Sequence, residues 1–410
     1  MNTRGIAVGL MVVACAGCGT TAPGPEELTF GGDVAFLQQY TDVVVLKDSS
    51  DKSQVVVLPE MQGRVMTSTA EGPGGYSFGW INRELVSSGK PVEHINVYGG
   101  EDRFWIGPEG GQFSVFFKKG VPFDLEHWFT PAAVDTEPWE LVSKTPRAAA
   151  LRKTMHLQNY SDTAFDVRVN REVRVLNREE ALKTLGVTAG PGVKMVAYES
   201  NNRMINVGKE EWTRQTGLLS IWILGMFTPS PETTIVVPFN MGPEGTLGPI
   251  VNDSYFGKVP ADRLVVKDGV LFFSGDGQYR SKIGLSPMRA KNVLGSYDAA
   301  NKALTIVQYN KPKDVLEYVN SMWQIQEAPY RGDTVNSYND GPPAPGAKPM
   351  GPFYELETSS PAAALAPGQS IVHTHRTFHF KGSESDLDDI ARKVLGVSIK
   401  EIESALPRGA

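Results

Sequence analysis

The chain of 410 residues has only two cysteines, Cys15 and Cys18, both near its start. From residue 19 onward it therefore offers no disulfide, no thiolate nucleophile and no zinc–sulfur site. Histidine is scarce, six in all. No apolar run reaches the roughly 20 residues that a membrane-spanning helix needs. Basic blocks are absent and the formal net charge is −6. Nucleic acid and anionic lipid surfaces are poor partners on those electrostatic grounds, and a neutral ligand such as a sugar fits better. The chain has no Gly-x-Ser-x-Gly elbow, phosphate loop or paired-histidine zinc helix. No fixed-period repeat points to a propeller or solenoid.

The start of the chain has one positive charge (Arg4), about ten apolar residues, and small residues before a cysteine. That order reads as a secretory signal peptide. Val12-Val13-Ala14-Cys15 and Cys15-Ala16-Gly17-Cys18 both resemble a bacterial lipobox, whose cysteine takes the lipid. Cys18 is preferred, because Cys15 would leave an unusually short signal. The expected organisation is a signal peptide and lipobox over 1–18, a Gly/Pro/Thr-rich tether over 19–30 and one domain over 31–410. It places a lipid-anchored protein in the cell envelope, at the outer membrane, with its domain in the periplasm or at the cell surface.

From residue 43 to the end the text is strand-like. Runs at 43–47, 53–59, 64–69, 113–117, 149–158 and 165–176 are β-rich, and 165–170 alternates apolar and polar as a one-face-wet antiparallel strand does. Eleven further runs follow, including 282–285, 318–326 (strand or helix), 353–358 and 370–381. Helices are few: one opened by Asp33, one capped by Asn177 over 178–185, and two near the end, capped at Ser385 and Ser398. Many short strands without a linker predict an all-β fold, a large two-sheet antiparallel β-sandwich with a few short helices.

Chemistry concentrates in Gly99-Gly100-Glu101-Asp102-Arg103-Phe104-Trp105-Ile106-Gly107-Pro108-Glu109-Gly110-Gly111. Five glycines and a proline suit a loop. Carboxylates, a guanidinium and an indole are the parts that hold a polyol, by hydrogen bonds to hydroxyls and stacking on the ring face. A surface turn with an internal ion pair is the competing reading, and Trp105 argues against it. His94 and His127, the latter beside Trp128, are acid/base or sugar-contact candidates, with solvated or packing roles as alternatives. Arg64 stands at a strand end. His373, His375 and His379 share one strand face, read as the wet face of a terminal strand rather than a metal site. Residues 333–341 bring Asp333, Asn336, Asn339 and Asp340 together, as an ordered turn, a sugar contact or oxygen ligands for calcium, with Asp333 and Asp340 as the metal candidates. Glu355 and Glu357 share a strand face, suited to proton transfer or simply exposed.

Residues 63–69, 77–82, 99–111, 333–341 and 353–361 resemble an uncharacterised family of exported bacterial lipoproteins, classed as a domain of unknown function. More distantly, residues 99–109, 235–239 and 357–368 resemble galactose mutarotase-like sandwiches, which include aldose 1-epimerases. That likeness implies a supersandwich fold and, by analogy, a histidine acid and glutamate base, for which His94 and Glu355 are the nearest candidates. The expectation is a carbohydrate-binding cleft with His94, Glu101, Glu109 and Glu355 as acid/base candidates. Arg64, Asp102, Arg103, Trp105, His127, Asn336 and Asn339 are the expected ligand contacts. The reaction is an epimerase, lyase or hydrolase; the alternative is a non-catalytic glycan-binding or structural envelope lipoprotein.

Overall fold

The structure is a computed structural model that describes residues 29–407. The signal, both cysteines and nearly all of the tether lie outside the described residues. In chain order the strands are β1 (Val44–Lys47), β2 (Gln54–Leu58), β3 (Arg64–Thr69), β4 (Arg103–Gly107), β5 (Glu140–Lys144), β6 (Ala148–Gln158), β7 (Ala164–Val175), β8 (Lys194–Asn206) and β9 (Ser220–Phe227). They continue as β10 (Thr233–Pro238), β11 (Leu264–Lys267), β12 (Val270–Ser274), β13 (Ser281–Leu285), β14 (Val293–Asp298), β15 (Ala303–Tyr309), β16 (Val335–Asn339), β17 (Tyr354–Ser359) and β18 (Ser370–Lys381). The helices are α1 (Phe30–Leu37), α2 (Arg83–Ser88), α3 (Arg178–Leu185), α4 (Glu244–Leu247), α5 (Glu384–Leu395) and α6 (Ile399–Ser404).

The strands form a ten-stranded sheet in the order β11-β12-β10-β14-β15-β18-β8-β7-β6-β5, a five-stranded sheet β13-β16-β17-β9-β4, and a three-stranded sheet β1-β2-β3. The protein is mostly β, with antiparallel sheets and few short helices. Phe104, Ile106, Ile221 and Ile223 of the five-stranded sheet join Val169, Val173, Val196 and Tyr198 of the large sheet in one core. The opposite face of the large sheet is covered by α3, α5 and α6, through Ala181, Leu387, Ile390, Leu395, Ile399 and Ile402. In β7, Phe165, Val167 and Val169 are buried while Asp166 is exposed, the alternation read from sequence. The Ser398 capping box is present, and Asn177 caps α3.

Several elements differ from expectation. Residues 113–117 and 318–326 form no strand or helix, and Trp323 of the second segment lines the cleft described below. Helix α1 is capped by Thr29, three residues before Gly32, so Asp33 lies inside it; α5 is capped by Ser383, not Ser385. The glycine-rich segment contains a strand after all, β4, because its glycines bracket it. A Cβ on Gly99 would meet the Trp80 carbonyl at 2.0 Å and one on Gly110 the Met322 carbonyl at 2.5 Å. Those glycines serve close chain packing. Residues 335–339 are likewise a strand rather than a turn.

Candidate functional site

Strand alternation sends Phe104 and Ile106 of β4 to the core and Arg103 and Trp105 to the other face. The same rule puts Trp222, Leu224 and Met226 of β9 on that second face, opposite Trp105 and Arg103. Glu355 and Glu357 of β17 stand beside Met226 and Leu224, Tyr338 and Asn336 of β16 beside those glutamates, and Lys282 of β13 beside Tyr338. The five-stranded sheet thus presents a ladder of charged and aromatic groups on its face away from the core. Trp128 and Trp323, from the irregular segments, close over it. Between them lies a cleft of about 110 Å³ lined by Arg103, Trp105, Glu109, Trp128, Trp222, Trp323 and Glu355, with Phe256, Arg280, Lys282, Tyr338 and Phe353 around them.

The four indoles pack as a wall. Trp105 meets Trp222 edge-on at 5.5 Å between centroids, and Trp128 stacks on Trp323 at 5.7 Å. The floor is ionic. Arg103 pairs with Glu355. Glu357 accepts from Lys282 Nζ at 3.1 Å and from the Trp222 indole at 2.9 Å. Lys282 also lies over the Trp222 ring, 4.8 Å from its centroid. Burial pushes the Glu355 carboxyl up against the opposing pull of Arg103. Glu109 is pushed up to about 7, chiefly by burial, with Lys282 pulling it down and Glu357 pushing it up; the Trp323 indole bonds to it. Lys282 is held above its ordinary value, because Glu357, Glu109 and Glu355 together outweigh its burial. Arg103 Nε and Glu357 Oε1 are buried with no hydrogen-bond partner. Such orphans call for a water or a ligand.

Of the expected site residues, the cleft brings together Arg103, Trp105, Glu109 and Glu355. Asn336 lies beside it, in a small adjoining cavity with Tyr255, Lys282 and Asp333. The rest serve elsewhere. Glu101 is fully buried between the sheets and accepts from Ser68, from Tyr198 at 3.0 Å and at 2.9 Å from His379 Nε2. Asp102 forms a fully buried pair with Arg171 at 2.7 Å. Asp102 keeps the inward phase of Phe104 and Ile106, whereas Glu101, which follows Gly99 and Gly100 at φ 99° and 117°, lies outside β4 and out of step with it. Arg64 is 1% exposed and bonds the carbonyls of Met61, Gly99 and Asp135. His94 holds the Trp128 carbonyl and rests on Phe129, at the margin of the cleft. His127 bonds Asp124. Asn339 holds the turn at Gly277 and Tyr279.

The two carboxylates expected to share a cation belong to separate networks. Asp333 accepts from the Tyr255 hydroxyl at 2.6 Å, Asp340 from Tyr338 and from the Gly351 amide. Among the described residues, no group of three or more His, Cys, Asp or Glu is placed to hold a metal ion. The histidines are not on a wet face: that face of β18 is covered, with Phe227 of the five-stranded sheet against His379, and all three side chains are fully buried. His373 and His375 both bond Thr358, and His379 bonds Thr305 and Glu101. Burial holds His373 down to about 3 and His375 to about 4, so both stay neutral.

Sequence reasoning missed Trp128 as a contact, together with Trp222, Arg280, Lys282 and Trp323. For Trp222 and Lys282 a signal existed. Each is the out-of-step residue of an apolar strand, Ile221-Trp222-Ile223 and Ser281-Lys282-Ile283. Trp323 had none, because its segment is irregular.

Over residues 28–406 the sequence matches the Family of unknown function (DUF6786). The chain belongs to this family. Similar solved structures include the Slr1438 protein from Synechocystis sp. PCC 6803, 13% identical over 84% of this chain and 96% of that one, with a TM-score of 0.51. A putative aldose 1-epimerase from Escherichia coli K12 is 13% identical over 83% of this chain and 99% of its own, at a TM-score of 0.48. A galactose mutarotase-like protein from Lactobacillus casei is 10% identical over 82% and 100%, at 0.46. No curated protein matches the chain.

Proposed function

We propose that this DUF6786 protein binds a carbohydrate in the cleft on the outer face of its five-stranded sheet. The observation that carries this is the wall formed by Trp105, Trp128, Trp222 and Trp323 over a floor of charged donors and acceptors. Flat apolar faces beside charged groups fit a sugar ring, whose C–H face stacks and whose hydroxyls donate and accept. Titration of tryptophan fluorescence with monosaccharides tests this. Saturable quenching that Trp323→Ala abolishes supports it, and no response to any sugar refutes it.

Glu355 and Glu357 are each matched by a cation, which suits binding and positioning. Glu109 is the group we assign to any proton transfer, because a carboxyl near 7 can both give and take a proton at neutral pH. Magnetisation-exchange NMR between anomers of a bound sugar tests turnover: acceleration lost in Glu109→Gln supports an enzyme, and none supports a binding protein. We further infer an exported lipoprotein, lipidated at Cys18 in preference to Cys15. Palmitate labelling that survives Cys15→Ser but not Cys18→Ser is the expected result.

A further inference from the structure

Three cations line the cleft, and two are matched: Arg103 by Glu355 and Lys282 by Glu357. The third, Arg280, makes no ion pair among the described residues. It is half-buried just before β13, with its guanidinium over the Phe256 ring at 3.8 Å from the centroid. The Tyr338 hydroxyl, whose titration Arg280 influences, lies beside it and donates to Asp340 at 3.0 Å. Ring and hydroxyl hold the guanidinium plane in place while most of its five N–H donors stay open. Glu109 and Asp340 lie near enough to feel its charge, but neither closes an ion pair with it, and a planar cation with no carboxylate on its fork suits two parallel bonds to one. The acid that shares the cleft with it, Glu109, is held up near 7 and is partly neutral at physiological pH, so it repels an incoming anion less than an ordinary glutamate would.

We propose that the ligand of the cleft is an acidic sugar of the hexuronate class, with its carboxylate on Arg280 and its ring between the indoles. The proposal rests on the carbohydrate reading above. The overall negative charge of the chain does not oppose it, because Arg103 and Lys282 are matched by Glu355 and Glu357, and Glu109, the carboxyl left to face Arg280, is partly neutral.

Isothermal titration of the intact protein with galacturonate, glucuronate, galactose, glucose and the two hexose 6-phosphates decides it. A hexuronate should bind about tenfold or more tighter than its neutral hexose, the scale of one charge-assisted contact. Arg280→Gln should remove that preference while neutral hexose binding persists, and Arg280→Lys should keep part of it. Equal affinity of wild-type protein for uronate and hexose overturns the proposal and leaves the carbohydrate reading standing; this arm needs no variant. A stronger preference for the phosphates overturns the carboxylate assignment. Binding of none of these sugars overturns both readings.

Discussion

In the cleft Glu355 answers to Arg103 and Glu357 to Lys282, whereas Glu109 is bonded to the Trp323 indole. This makes Glu109 the residue whose protonation can be followed. An ordinary glutamate ionises near 4.5, but folded Glu109 keeps its proton to about 7. Between those values the folded state binds the extra proton, so the contribution of this group to stability falls as pH rises from 4.5 to 7 and is flat outside that window. Glu109→Gln removes the window. At pH 8 the variant should be more stable than wild type by about 1 kcal/mol, allowing for the partial exposure of the side chain, and at pH 4 the two should agree. Urea unfolding at the two pH values measures this. Glu101 behaves differently. With Ser68, Tyr198 and His379 all bonded to its carboxylate, Glu101→Gln should cost about 2–3 kcal/mol of stability by urea unfolding and leave sugar affinity unchanged.

At the scale of elements, β4 divides two kinds of chemistry. Residues before it turn inward and tie the sheets together: Asp102 meets Arg171, which also bonds the Gly63 carbonyl and Asn202. Asp102→Asn strands a buried guanidinium and should cost about 3–5 kcal/mol, seen as a lowered urea midpoint, without a specific loss of ligand affinity in the folded fraction. Residues within β4 turn outward to the cleft. That division explains what the sequence disclosed. The strands were legible wherever alternation or β-branched runs set one buried face, as in β7 and β10. The glycine-rich stretch reads as a loop because glycine signals conformational freedom, whereas Gly99 and Gly110 are there to let backbones touch. Arg103, Trp105, Glu109 and Glu355 were found from residue type alone. Glu101, Asp102 and Arg64 had the same residue types and a buried, structural role, which composition cannot separate from a functional one. His373, His375 and His379 do share one face, but only the packing of the second sheet against it shows that the face is dry. Trp128 and Trp323 come from irregular segments, and long-range packing without periodicity leaves no trace in a sequence.

For the whole molecule, the large sheet is sealed by helices on one side and by the five-stranded sheet on the other, which leaves the outer face of the smaller sheet as the place where charged and aromatic groups gather. A net charge of −6 suggested a neutral ligand, yet the open charge in the cleft is positive. Global charge governs solubility and approach, while binding follows the few groups at the floor. Thermal unfolding of the intact protein with and without sugars tests the central claim most directly, because a ligand that binds only the folded state raises the melting temperature by mass action. The account predicts a concentration-dependent rise with hexuronates, smaller with neutral hexoses and lost in Trp323→Ala. A melting temperature unmoved by every sugar, or a rise that Trp323→Ala leaves intact, would contradict it.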